Sequence, residues 1–146
     1  MKRFEDQITI KASADRVYDY VADFRRHSEW SGHGLQVSPM DGGPVAVGST
    51  FSTTAKQFGT QHEQSTVTEL SPGHVFAWDS TGGLGKASHR FAMAEDEGST
   101  TLTKSVELVQ PTFLAKVTSW KLSSDIPKSL HSDLVNIKAR VEEQRA

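Results

Sequence analysis

The chain has 146 residues, the size of one domain, and is read as a single domain over 1–146. Hydrophobic residues make up 36% and form no run near the ~18 residues that a spanning helix needs, so stable membrane insertion is not expected. A net charge of -2 argues against nucleic acid as a partner, and the lack of cysteine excludes disulfides and thiolate metal sites.

The opening MKRFEDQITI has acids at Glu5 and Asp6 where a secretory leader has an apolar core, so a cytoplasmic location is expected. Residues 3–12 alternate: Phe4, Ile8 and Ile10 share one parity, and Glu5, Gln7, Thr9 and Lys11 the other. That is the pattern of a half-buried strand. Ser13 is an N-cap candidate, with Asp15 in the first turn beyond it. Val17, Tyr18, Val21 and Phe24 follow at helical spacing, which predicts a helix over about 14–22 and a second short turn over 24–30.

From about residue 35 to 110 the period is two. Phe51, Thr53 and Ala55 share a parity in 48–57, and 61–70 is polar and threonine-rich. Residues 74–80 carry Val75, Phe76 and Trp78, and 86–95 align His89, Phe91 and Met93. Residues 99–109 align Leu102, Lys104, Val106 and Leu108. Turn signals separate the runs at Asp41-Gly42-Gly43-Pro44, Ser71-Pro72-Gly73, Gly82-Gly83 and Asp96-Glu97-Gly98, which predicts an antiparallel meander. The last thirty residues return to helical period, with Leu130, Leu134, Ile137 and Val141 in one stripe behind Phe113, Leu114, Val117, Trp120 and Leu122. Pro127 predicts a kink or break near 124–127, with Ser124 or Asp125 capping the second half.

The order is strand, one or two short helices, six strands and a long helix, a two-layer α+β arrangement. A helix is only ~10 Å across with its side chains, so one cannot fill a strongly bent sheet of six or seven strands. The rest of the concavity is either a cavity or is filled by large side chains.

The opening strand followed by Ala12-Ser13-Ala14-Asp15-Arg16-Val17-Tyr18-Asp19-Tyr20-Val21-Ala22-Asp23 resembles the start of the START-like, or SRPBCC, superfamily of polyketide cyclase/dehydrase and lipid-transport proteins. The resemblance continues through Trp30, Gly48, Pro72-Gly73-His74-Val75-Phe76-Ala77-Trp78, His89-Arg90-Phe91, Gly98-Ser99-Thr100-Thr101-Leu102-Thr103 and the C-terminal helix. It implies a helix-grip fold, a curved antiparallel sheet wrapped around a long C-terminal helix with a ligand cavity between. It implies no shared catalytic residue.

If the apolar parity faces the helix, Phe51, Phe76, Trp78, Phe91, Met93, Leu102 and Val106 line the concave side, as core or as ligand wall, and Trp120 meets them. His89 and Lys104 interrupt that face. His89 is either a hydrogen-bonded structural histidine or a ligand contact able to move a proton. Lys104 is either a polar anchor for a greasy ligand or a stem whose ammonium reaches the rim. Together they are the catalytic candidates, for polarising a ligand carbonyl. Trp30 is a plug or a pocket-mouth residue, and Tyr18 packs helix to sheet with its hydroxyl towards the mouth. His62, Gln64, Thr66 and Thr68 read as a solvated face. His27 and His33 flank Trp30 in an expected loop, and no metal motif, hydrolase elbow or phosphate loop is present. Gly82-Gly83-Leu84-Gly85-Lys86 reads as a hairpin.

No metal or other cofactor is expected. The expected partner is a small hydrophobic ligand (a lipid, polyketide or other aromatic). Monomer and homodimer both remain open. Three functions follow: a carrier of such a molecule, an aromatase/cyclase-type enzyme acting on a polyketide-like substrate, or a partner-binding protein with a collapsed pocket. A cavity below ~300 Å³ favours the third.

Overall fold

The computed structural model describes residues 2–31, 35–39, 45–56, 60–82, 85–111, 116 and 119–143. β1 (Lys2–Ile10) leads into α1 (Ala14–Val21), a 3-10 turn (Phe24–Arg26) and α2 (His27–Trp30). Then come β2 (Gln36–Pro39), β3 (Thr50–Lys56), β4 (Thr60–Ser71), β5 (Val75–Gly82), β6 (Gly85–Asp96), β7 (Ser99–Pro111) and α3 (Ser119–Glu143). The seven strands form one antiparallel sheet in the order β1-β7-β6-β5-β4-β3-β2. This is the two-layer α+β arrangement that the order of segments predicts and the helix-grip fold that the resemblance implies.

Local chemistry explains the elements. Ser13 has extended backbone and its side chain accepts from the Arg16 amide at 3.3 Å, so the cap that starts α1 is the predicted one. Asp96 pairs with Ser99, leaving Glu97 and Gly98 as a two-residue turn with φ of 52° and 80°. Positive φ at both positions is the type I′ geometry that matches strand twist, and glycine adopts it without strain. The register slips between Val67 and Glu69 on β4 and between Lys86 and Ala87 on β6. Such bulges bend a strand and help the sheet to curl. His62 stays on the exposed face, away from His89.

Helix α3 runs without a break through Pro127, so of the expected kink or break the break is absent, and Ser124 and Asp125 lie within the helix rather than capping it. Proline's fixed φ is compatible with a helix, so the ring removes one hydrogen bond without forcing a stop. Packing beyond the proline carries the helix on: Leu130, Leu134, Ile137 and Val141 are all buried. The C-terminal half is fastened to β1 and its exit: Lys138 Nζ donates to the Thr9 carbonyl at 2.7 Å, and the Lys11 amide donates to Glu142 at 2.8 Å. Phe113, Leu114, Val117, His33, the turn at 41–44, and Gly83 and Leu84 lie outside the described residues, as does the side chain of Leu122.

The core occupies one end of the concavity. Phe24 stacks on Phe51 at 4.4 Å and meets Phe76 edge-on at 6.4 Å. Val17, Tyr20 and Val21 of α1 join Leu102, Met93 and Ile137 in the same cluster. The short helices therefore fill this end of the sheet.

Candidate functional site

Between the N-terminal half of α3 and the inner faces of β3 to β7 lies a cavity of about 200 Å³, open on one side. Trp78, Val106, Leu108, Ile126 and Leu130 make its wall mainly apolar. The volume is below the ~300 Å³ at which pockets for drug-sized ligands begin, the outcome expected for the third function.

Of the site candidates read from sequence, Trp78, His89, Lys104, Val106 and Trp30 line this cavity. Phe51, Phe76, Phe91, Met93 and Leu102 share the inward parity but lie in the packed end of the sheet and do not line it. Parity gives the face of a residue but not its height along the strand. Trp120 is not on the wall and is 75% exposed. At 100° per residue it sits about 80° around the helix from Leu130, off the apolar stripe. Tyr18 is in the core rather than at the mouth, with its hydroxyl pKa raised by burial and by Asp19.

Lys104 on β7 is buried and reaches across to Asp133 on α3, Nζ to Oδ2 at 3.1 Å. Its ammonium also lies 5.0 Å from the Trp30 ring centroid and 5.8 Å from that of Phe91. It is neither free as an anchor nor drawn to the rim. An opposite charge and two ring faces replace the water it lost.

His89 on β6 lies flat against Trp78, with ring centroids 4.8 Å apart and planes 3° apart. Its Nε2 is 2.9 Å from Ser80 Oγ on β5, while Nδ1 is shielded from water and has no partner among the described residues. Burial, then Lys104, then His27 push its pKa down to about 3, so the ring is neutral. His27, expected in a loop, starts α2 and is buried between Phe24 at 4.1 Å and Trp30 at 4.7 Å. Its Nε2 bonds the Val21 carbonyl at 2.8 Å, which requires the proton on that nitrogen. Burial drives its pKa to about 3 against that bond, with Lys104 adding to the fall.

Sequence reasoning missed three polar contributors. Glu63 faces in, opposite in parity to the exposed His62 and Gln64, with the buried Ser65 and Val67 beyond it on the same strand. Burial raises its pKa, partly offset by a hydrogen bond from Ser80. Ser80 shares the inward face of β5 with Trp78 and Phe76. Asp133 adjoins the α3 stripe. The signals existed: a solvated parity over 62–68 leaves Glu63 on the inner one, and an acid beside an apolar helical stripe calls for a cation opposite.

A curved antiparallel sheet gripping a C-terminal helix over a part-apolar cavity is the helix-grip class of fold. The chain belongs to the polyketide cyclase / dehydrase and lipid transport family, whose profile matches residues 1–142. It is similar to the Zhui aromatase/cyclase of Streptomyces sp. R1128, with a TM-score of 0.83 at 16% identity, covering 99% of this chain and 96% of that one. It is also similar to TTHA0849 of Thermus thermophilus, with a TM-score of 0.78 at 10% identity, covering 99% and 100%. At these identities the likeness is one of fold. The uncharacterized protein Rv0088 of Mycobacterium tuberculosis is 33% identical over 107 residues, 72% of this chain. The chain spans about half (46%) of that relative's length. Among the described residues, no helix is long and apolar enough to cross a membrane.

Proposed function

We propose that the protein binds a small, neutral, largely apolar molecule of one or two rings in the cavity under α3. The observation that carries this reading is the cavity wall itself: apolar side chains interrupted by a neutral His89 and a charge-compensated Lys104. Apolar walls supply affinity, and a few placed polar groups fix orientation. The family supports hydrophobic-ligand chemistry in general terms. The test is thermal shift and native mass spectrometry with 2-tetralone, 2-naphthol, palmitate and a sterol. The bicyclic compounds are expected to raise Tm, with about 2.7 kcal/mol of stabilisation at a hundredfold excess over Kd. The two larger molecules are expected to leave Tm unchanged. No bound species from any of the four contradicts the reading.

Two other readings have an observation each. His89 and Lys104 line one cavity, which supports the reading of an aromatase/cyclase acting on a polyketide-like substrate. Activity on such a substrate that survives His89→Ala with Lys104→Ala removes that reading. The small volume favours a partner-binding protein with a closed pocket, which predicts no response to any ligand in the screen.

A further inference from the structure

The cavity wall changes character across the sheet. Val106 of β7 and Ile126 of α3 are apolar, whereas Thr53 of β3, Glu63 and Ser65 of β4 and Ser80 of β5 make a polar patch. Thr53 stands directly opposite Glu63, and Ser65 directly opposite Ser80, so the four share one face of the sheet. Glu63 is half-buried and borders the cavity rather than being sealed beneath it. We propose that Glu63 is a specificity residue, whose carboxylate selects a neutral aromatic guest bearing a hydroxyl or ring N–H donor. This rests on the ligand reading above and names the class of guest.

The charges along the wall single Glu63 out. Lys104 is held by Asp133, and burial keeps His27 and His89 neutral. Glu63 makes no ion pair among the described residues, and the hydrogen bond it receives comes from Ser80. The direction of that bond follows from the chemistry. Ser80 has one hydrogen and an ionised carboxylate only accepts, so Ser80 gives to Glu63 and takes from His89 Nε2–H at 2.9 Å. A carboxylate has about four acceptor positions, and Ser80 fills one of them. Burial has stripped water from Glu63, which is why its pKa is raised. A donor on the guest replaces that water. A methyl group in the same place leaves the carboxylate short of a partner.

Two further features fit a neutral donor. Gly82 lies opposite Glu63 on β5, and a Cβ there would stand 2.6 Å from Glu63 Cγ and 2.8 Å from the His62 carbonyl oxygen. Gly82 is therefore a positioning residue, because any side chain at that point pushes Glu63 from its place beside Ser80. Burial, and then the Lys104 ammonium, hold His89 uncharged in the same cavity, so a cationic guest is disfavoured there too.

The test compares 2-naphthol with 2-methylnaphthalene, which match in size and differ by the donor, in fluorescence titrations at pH 7. Transfer out of water alone favours the methyl compound. The protein is expected to reverse that order and bind 2-naphthol about tenfold or more tightly than 2-methylnaphthalene. Glu63→Ala is expected to restore the order set by water, with 2-methylnaphthalene binding at least as well as before, which also shows that the cavity is intact. Gly82→Ala narrows the preference for 2-naphthol by displacing the carboxylate. Where Glu63→Ala does not fold, Glu63→Gln keeps the side chain's size, removes its charge and lowers the preference several-fold. A native protein that prefers 2-methylnaphthalene, or a preference for 2-naphthol that persists undiminished in the Glu63 variants, overturns the selection by Glu63 and leaves the ligand reading standing. Failure of both compounds to bind overturns both.

Discussion

Lys104 and Asp133 show how a buried polar pair behaves when only one partner is removed. Lys104→Met takes the buried cation from the Asp133 carboxylate, and Asp133→Leu takes the carboxylate from the Lys104 ammonium. Each is expected to cost about 3–5 kcal/mol in urea unfolding. The double variant, which removes both charges, is expected to recover most of that loss. Additive losses in the double variant would show that the two side chains do not act as a pair. The two buried histidines set the acid response. Both have folded pKa values near 3, below the ~6.5 of an unfolded chain. The unfolded state therefore binds more protons below about pH 6.5, and stability present above that pH is lost as the pH falls towards 3. Each histidine contributes up to about 1.4 kcal/mol per pH unit. Glu63 works the other way, because its folded pKa is raised: its contribution is fullest at low pH and fades as the pH rises. Urea midpoints between pH 7 and pH 4 are expected to fall steeply, and less so in His27→Gln. An unchanged slope in that variant contradicts a neutral buried His27.

At the scale of elements, alternation and caps make most of the fold legible. Ser13 starts α1 as its place before an acidic first turn predicts, and Ser13→Ala is expected to lower stability by about 1 kcal/mol. The Glu97-Gly98 turn and the strands on either side are legible because tight turns use a narrow set of residues. Pro127 misleads, because an interior proline weakens a helix without ending it when packing continues beyond. Pro127→Ala restores a helical N–H and is expected to raise Tm; a fall in Tm would show that the ring shapes α3. Trp120 misleads through its hydrophobicity, although its helical phase puts it outside the stripe. Glu63 and Asp133 each leave a signal in the pattern, an inward parity and a place beside the apolar stripe, but their partners are remote in sequence and pattern does not name them. Asp133 meets Lys104 across 29 residues, and one chain read alone does not reveal such a pairing.

At the scale of the whole molecule, α3 and the short helices together leave part of the concavity unfilled. Phe24, His27 and Trp30 pack the end beneath the short helices and also form one wall of the cavity, which α3 and the strands complete. The fold is legible in sequence because periodicity is a local signal. The cavity's size is not, because it depends on how aromatic rings from three separate elements meet. The most direct measurement is methyl NMR of the labelled protein titrated with 2-tetralone. Val106, Leu108, Ile126 and Leu130, which border the cavity, are expected to shift, while Val17, Leu102 and Val141 in the packed end hold still. Saturating ketone that leaves the first four methyls unmoved, or moves only the second group, contradicts a guest site under α3.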